Sequence, residues 1–146
     1  VMGKFIASLL LICIALVATL PYIITIANIG NLDNGGTICG YLALFLMSMV
    51  YTSIGIFTSS ITSNQIVAFM GALMIGLFFH IIFDVLAGNF TGFMGNLFDL
   101  LSLQTHFESI SRGVIDSQDL VYFISVSILS LFLAEWSLSN RHFQKK

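Results

Sequence analysis

The sequence predicts an all-α membrane protein, a polytopic bundle of four transmembrane helices with a short amphipathic or re-entrant segment before the last helix. Two observations predict this class. Apolar residues make up 58% of the 146 positions and charged residues only 8%, with a mean hydropathy of +1.01, whereas soluble domains have about 45–50% and about 25%. The apolar residues also gather in long blocks separated by short polar stretches, as in a bundle of membrane-spanning helices.

Each block is long enough to cross about 30 Å of hydrocarbon, which takes about 20 mainly apolar residues in a helix. The blocks cover residues 5–29, 37–61, 66–86 and 120–138, so we interpret 1–146 as a single transmembrane domain. The first block is too long for a signal-peptide core and lacks a small-residue cleavage site, so we predict a retained helix. Pro21 should kink this helix or end its inner part, because proline removes a backbone hydrogen bond.

The basic residues predict the orientation of the bundle. If both ends lie on one side, Arg112 is on the opposite side and the other basic residues share the side of the ends: Lys4, Arg141, Lys145 and Lys146. Cytoplasmic loops collect Lys and Arg, so both ends should be cytoplasmic.

Residues 62–65 then form a tight cytoplasmic turn that joins the second and third spans into a hairpin. Thr62 can cap the third span while Gln65 reaches back to it, as in a capping box. The link at residues 30–36 is an outer turn rich in glycine and asparagine. Cys13 and Cys39 lie at different depths, so we predict buried, unpaired thiols.

Small residues recur at helical spacing in three spans. In lipid, such residues let helices pack closely. The same stripes are also compatible with a polar translocation path, and the pattern does not separate the two. They are Ser48, Thr52, Gly55 and Ser59 in the second span, Ala68, Ala72 and Gly76 in the third, and Ser127, Ser130, Ala134 and Ser137 in the fourth.

Residues 89–117, here called the outer segment, are too polar to span and too apolar to stay in water. We predict one or two short amphipathic helices at the membrane interface. Glu108 and Arg112 stand four apart in the favourable order for an ion pair. Gly113 can end that helix, and Asp116 with Asp119 can cap the last span. These structural roles explain the charges, and a gating or substrate-contact role for His106, Glu108, Arg112 and Asp116 is the alternative.

Several chemistries find little support in the sequence. His106, Glu108 and Ser109 are residue types used by hydrolases, but neighbours in sequence point in different directions, and no glycine elbow or HExxH motif occurs. There is no phosphate-binding GxxxxGK[ST] loop, so any ATP must be handled by a partner. With a net charge of −2 and no basic patch beyond the tail, nucleic acid is not expected as a ligand.

His80 and Asp84 stand four apart near the outer end of the third span. Ionisable groups inside a membrane suggest function by default, so the pair could share a metal or a proton. Snorkelling to the interface is the alternative. The methionines form no ladder typical of copper binding, and we predict that they fill gaps in the packing.

Two stretches are more specific than general hydrophobicity. They read GIFTSSITSNQIVAF at residues 55–69 and HFESISRGVID at residues 106–116. Both resemble ABC-2 type permeases, and within these most closely the gliding-motility-associated (GldF-like) permeases of Bacteroidetes. The second stretch is the more specific of the two.

The resemblance implies a six-helix permease subunit of the bacterial inner membrane that pairs with a second permease and with cytoplasmic ABC ATPase subunits, on which ATP and magnesium would bind. The spans of this chain would be the third to sixth, so the sequence from Val1 is expected to be a fragment lacking the first two helices and the coupling helix. Residues 62–65 would then be a minor ATPase contact. The resemblance predicts no catalytic, cofactor or metal site in this chain.

Three functions follow as hypotheses. The first is transport, with helices that rearrange between two states and the outer segment as a lid. The second is a non-transporting membrane scaffold of a motility or secretion assembly. The third is an intramembrane enzyme or metal carrier that uses His80 and Asp84.

Overall fold

The computed structural model describes residues 1–31 and 33–143, and every regular element in those ranges is a helix. Those helices long and apolar enough to cross a membrane are Met2–Ile29, Asn34–Ile61, Gln65–Asn89 and Ser117–Asn140. All four predicted spans are therefore confirmed. Each is longer than predicted, because polar residues such as Asn34, Gln65 and Asn89 continue the helices beyond the apolar blocks.

The first and the third span each consist of more than one helical element. They are α1 (Met2–Ala18), α2 (Leu20–Ile29), α3 (Asn34–Ile61), α4 (Gln65–Leu77), a π-helical turn (Phe78–Ile82), α5 (Phe83–Asn89), α6 (Phe93–Leu101), α7 (Leu103–Ser111) and α8 (Ser117–Phe143).

The first span is interrupted at Thr19, as Pro21 predicts. The Thr19 backbone N–H donates to the Leu16 carbonyl at 3.1 Å, which is a tighter turn than the α-helix. Pro21 is then the second residue of α2, where a missing N–H has little cost. The Thr19 and Tyr41 hydroxyls lie 2.5 Å apart and join this break to α3.

Helix α3 is the centre of the bundle and packs against α1, α4, α7 and α8. At about 1.5 Å per residue its 28 residues extend for about 42 Å, enough to cross the bilayer and reach the outer segment. Its buried side chains form one core with side chains of α7 and α8: Cys39, Ala43, Leu46, Val50, Ile54, Leu103, Ile110 and Phe123. The outer segment is thus part of the bundle core.

The predicted small-residue stripes of the third and fourth spans are helix contacts. A side chain at Gly76 would overlap the Tyr51 ring, so α4 approaches α3 closely there. Ser127, Ser130 and Ala134 are buried, and the Ser137 hydroxyl donates to the Ser60 carbonyl of α3 at 3.3 Å. The stripe of the second span differs.

The buried polar side chains of α3 are Ser53, Thr58 and Ser60, none of which belongs to the predicted stripe. Thr52, Gly55 and Ser59 of that stripe instead line a cavity between α1, α3 and α8. The prediction that the whole stripe packs between helices is therefore wrong for these three residues. Spacing shows which residues share a helix face, but the neighbouring helices decide which face is covered.

The hairpin between α3 and α4 is confirmed, but its predicted cap is wrong. The N-cap of α4 is Asn64, whose side-chain oxygen accepts from the Ile66 backbone N–H at 3.0 Å. The Thr62 hydroxyl accepts from the Asn64 N–H at 3.2 Å and so stabilises the turn. Asn is at least as good an N-cap as Thr and stands directly before the helix.

The start of α1 and the region of α8 around Leu138 lie at the same end of the bundle, since Val1, Lys4 and Leu138 border one cavity. The predicted orientation assumed this arrangement. Which side of the membrane this end faces stays a prediction. Lys145, Lys146 and the Arg141 side chain, on which that prediction partly rests, lie outside the described residues.

Candidate functional site

The outer segment folds as the two short helices α6 and α7, as predicted. Ser102 ends α6 and is the N-cap of α7, with its hydroxyl accepting from the Thr105 N–H at 3.3 Å. Gly113 has φ +90°, a conformation that suits glycine, and its N–H donates to the Ile110 carbonyl at 3.0 Å. The prediction that Gly113 ends this helix is confirmed.

A buried pair of side chains joins α7 to α8. His106 Nδ1 lies 2.6 Å from Asp119 Oδ1, and both residues are only 5% exposed. The other ring nitrogen of His106, Nε2, lies 3.1 Å from the Leu100 carbonyl of α6. One imidazole therefore connects three helices, and we call this pair the His106–Asp119 latch.

Tyr122 completes the surroundings of the latch. Its ring stacks on the His106 ring with centroids 4.1 Å apart, and its hydroxyl donates to the Leu101 carbonyl at 2.5 Å. Phe123, which is fully buried, meets the imidazole edge to face. The latch is thus closed off by aromatic rings and by two carbonyls at the end of α6.

The structure corrects the role predicted for Asp119. Asp116 does cap α8, since its Oδ1 accepts from the Gln118 N–H at 3.2 Å. Asp119 does not cap the helix. Its Oδ1 is engaged with His106, and its Oδ2 is buried without a hydrogen-bond partner among the described residues. One acidic residue already satisfies the helix start, which leaves the other free for a tertiary contact.

Glu108 and Arg112 of the outer segment border a pocket of about 340 Å³. Its lining residues are Asp84, Thr105, Glu108, Ser109, Arg112 and Val114. The predicted ion pair is confirmed, with Arg112 Nη2 at 3.1 Å from Glu108 Oε2. Gln104 also donates to Glu108 Oε1 at 2.6 Å. The structure therefore brings Asp84 to Glu108 and Arg112, which sequence spacing alone did not predict.

Replacing Arg112 by alanine should have little effect on stability. The Arg112 and Glu108 side chains are 75% and 47% exposed, so water screens the pair, which should contribute at most about 0.5 kcal/mol. Thermal unfolding of the protein in nanodiscs should shift by no more than about 2 °C. Arg112→Lys is the matched control. If Arg112→Ala abolishes activity while Arg112→Lys and the unfolding temperature stay normal, Arg112 has a gating role and not only a structural one.

His80 and Asp84 do not form a pair in the structure. His80 lies in the π-helical turn, which changes the spacing to Asp84, and His80 Nδ1 is buried without a hydrogen-bond partner among the described residues. Asp84 faces the outer pocket instead. Among the side chains described, those of residues 1–31 and 33–140, no group of three or more His, Cys, Asp or Glu is placed to hold a metal ion. Cys13 and Cys39 are free thiols, as predicted, but the prediction that both are buried is wrong for Cys13, which is exposed.

A second cavity lies at the opposite end of the bundle. It measures about 370 Å³ and carries the predicted stripe residues Thr52, Gly55 and Ser59 together with Lys4 and Ser8. Hydroxyl groups and one ammonium group therefore border an opening between α1 and α3. A polar translocation path, the alternative interpretation of the stripe on the second span, would pass through this cavity.

Sequence reasoning selected His106 but missed its partner Asp119, the stacking Tyr122 and the cap Ser102. Asp119 lies 13 residues from His106, and no local periodicity connects positions so far apart. A second acidic residue just after the capping Asp116 was the only signal for Asp119. Ser102 could have been found as a helix start, because serine is a preferred N-cap.

Four spans with a docked outer segment define a polytopic membrane protein. A family model described as ABC-2 family transporter protein matches residues 1–138, and the chain belongs to this family. It is accordingly a membrane permease component of an ABC transporter, a class that associates with an ABC ATPase. No curated protein and no solved structure matches the chain.

Proposed function

We propose that this chain is the permease part of an ABC transporter that moves its substrate across the bacterial inner membrane, with the outer segment as a lid. Family membership supports transport. The single observation that carries the lid is the docking of α7 into the core of α3 and α8 through a buried polar pair. In this proposal α7 would alternate between a docked and a lifted position, and lifting would expose the buried pair.

ATP hydrolysis would take place on a cytoplasmic partner ATPase, which would also hold the magnesium ion. The chain has no phosphate-binding loop of its own. A second permease subunit would complete the path. Both ends of the chain would face the cytoplasm, which leaves the Thr62–Gln65 turn on the ATPase side. The likeness of residues 106–116 to gliding-motility permeases supports a role in motility.

The second cavity, bordered by Lys4, Thr52 and Ser59, supports the same proposal. Its polar side chains come from α1 and α3, and it lies at the end of the bundle opposite the lid. A permease that alternates between two states needs an opening at each end of its path. Thr52, Ser59 and Lys4 are the side chains that a substrate would meet first on the cytoplasmic side.

The test is to follow the lid while the partner ATPase turns over. Cys39 is buried in the same core cluster as Leu103 and Ile110 of α7, so we expect a maleimide to reach it faster when the outer segment lifts. The complete protein would be purified with its ATPase in nanodiscs, with Cys39 as the sole thiol. We expect its labelling rate to change several-fold between nucleotide-free, ATP-bound and turnover conditions.

The matched control is an exposed thiol at the outer turn, made by Asn31→Cys with Cys39→Ala, whose labelling should not respond to nucleotide. With an ATPase variant that binds ATP but does not hydrolyse it, the Cys39 labelling rate should stay at a single value. The absence of any co-purifying ATPase, or labelling of Cys39 that ignores nucleotide, would contradict transport. Those results would favour the scaffold hypothesis.

A further inference from the structure

The second cavity, of about 370 Å³, is bordered by a cationic side chain that has no counter-charge. Lys4 belongs to its lining, and the lining contains no acidic residue. Within the part of the chain that the structure describes, the ion pairs are His106–Asp119 and Glu108–Arg112, and neither involves Lys4. An ammonium group at the end of a membrane span, without a carboxylate beside it, favours an anion as its neighbour.

Hydroxyl groups without a partner in the protein border the same cavity. Other hydroxyls of α3 donate to carbonyls of the preceding turn, as Ser53 does to Met49 at 2.8 Å. Thr52 and Ser59 form no hydrogen bond among the described residues, although both border the cavity. Their hydroxyls are therefore available to a ligand, and a hydroxyl forms a strong hydrogen bond when it donates to an anionic oxygen.

The polar groups are arranged along the bundle axis with the charge at the end of the helices. Lys4 is the third residue of α1, and Ser59 is the third from the end of α3. At about 1.5 Å per residue, Ser8 lies about 6 Å and Thr52 about 10 Å further toward the centre of the bilayer. A phospholipid has the same order, with its phosphate in the interfacial region and its acyl chains in the hydrocarbon core.

The cavity has an open side between α1 and α8. Both helices pack on α3, but they make no comparably extensive contact with each other. Leu138 of α8 borders the cavity and is 41% exposed, and α1 presents exposed apolar side chains such as Ile6 and Leu10. In a bilayer such apolar surfaces contact acyl chains. A lipid can therefore enter the cavity from the side without leaving the membrane.

We propose that this cavity binds the headgroup of an acidic phospholipid. The lipid phosphate lies against the Lys4 ammonium and the Ser59 hydroxyl, and the acyl chains follow the exposed apolar surface of α1. The inference deepens the proposed function and in that sense rests on it, because it names the class of ligand for the opening that a substrate would enter. Binding itself requires neither ATP nor movement of the lid.

The experiment counts the lipids that the complete protein retains. The protein would be placed in nanodiscs of equal amounts of phosphatidylcholine and phosphatidylglycerol and released in a native mass spectrometer. The measured quantity is the ratio of retained phosphatidylglycerol to retained phosphatidylcholine, and we expect one phosphatidylglycerol per chain to be retained preferentially. No ATPase or nucleotide is present and both leaflets have the same composition, so neither transport nor the orientation of the bundle affects the result.

The decisive variant is Lys4→Gln, which keeps a long polar side chain but removes the charge. The retained ratio should fall about fivefold, as expected for the loss of one lysine contact with an acidic lipid. Lys4→Arg is the matched control and should keep the preference, since a guanidinium binds phosphate at least as well. Lys4 is exposed, so neither variant should impair folding, and thermal unfolding in phosphatidylcholine nanodiscs checks this.

A second pair of variants tests the cavity by volume and leaves the charge unchanged. A Cβ atom added at Gly55 or at Gly40 would meet nothing within 4 Å, but only Gly55 borders the cavity. Gly55→Leu should fill the space and lower the retained ratio as far as Lys4→Gln does. Gly40→Leu makes the same change on the same helix outside the cavity and should leave the ratio unchanged.

A third pair tests the hydroxyl contact. Ser59→Ala removes a hydroxyl that borders the cavity and should lower the retained ratio several-fold. Ser48→Ala is the matched control, because the Ser48 hydroxyl already donates to the Leu44 carbonyl at 2.7 Å. The ratio should not change in this control.

Equal retention of the two lipids by the wild-type protein would overturn the proposal, and so would a preference that both Lys4→Gln and Gly55→Leu keep. A phosphate ion retained from inorganic phosphate in nanodiscs of phosphatidylcholine alone would also overturn it, since the ligand would then come from water. Failure of the transport proposal looks different, because it appears as Cys39 labelling that ignores nucleotide while the lipid preference remains.

Discussion

Replacing His106 by alanine should release the outer segment from the membrane helices. The change leaves Asp119 as a buried charge without its partner, and breaking a buried pair from one side costs about 3–5 kcal/mol. At pH 7 the Cys39 labelling rate should therefore rise at least on the order of a hundredfold. The gap left beside the stacked Tyr122 ring adds to the loss.

The control for this prediction is a second substitution at the partner position. His106→Ala with Asp119→Ala removes the buried charge together with the histidine, so much of the Cys39 protection should return. If the single and double variants label equally, packing of the imidazole matters more than the charge it compensates. Unchanged labelling in the single variant would mean that α7 is held by its apolar contacts alone.

The Gly95→Ala substitution should disrupt the turn between α5 and α6. A side chain at Gly95 would overlap the backbone carbonyl oxygen of Phe90, which cannot rotate away as a flexible side chain would. The two helices must then move apart, at a cost of about 1–3 kcal/mol or more. The displacement would also separate the Phe83 and Phe98 rings, which stack with centroids 6.2 Å apart.

Thermal unfolding in nanodiscs measures this effect, and Gly88→Ala is the matched control. A side chain at Gly88 would meet nothing within 4 Å, so alanine there should be neutral or stabilising by up to about 1 kcal/mol through helix propensity. The prediction is therefore a fall in unfolding temperature for Gly95→Ala and none for Gly88→Ala. Equal behaviour of the two variants would contradict the close approach of α5 and α6.

Local features of the fold could be predicted from the sequence because their causes lie within one or two helical turns. The apolar blocks determine the spans, Pro21 determines the break in the first span, and Gly113 determines the end of α7. The Glu108–Arg112 pair also depends only on spacing within one helix. The π-helical turn in the third span is the local feature that no residue pattern indicated.

The candidate site could be predicted only in part. The outer segment and His106 were found, because a polar stretch with an amphipathic pattern stands out in so apolar a chain. The partner Asp119 was found as an acidic residue but given a capping role, since a helix start explains an aspartate without any tertiary contact. The stripe of Thr52, Gly55 and Ser59 was recognised, but its neighbours decide that it lines a cavity.

The sequence by itself thus determined that this chain is a membrane helix bundle, roughly where its four long apolar helices lie, and that short helices precede the last of them. Only the tertiary structure decided that the outer segment docks through His106 and Asp119, because a contact between residues 13 positions apart depends on how α7 and α8 pack. The physical reason is the range of the forces involved. Burial in lipid and helix capping act on each segment separately, whereas the contact between His106 and Asp119 exists only where two segments pack together and exclude water.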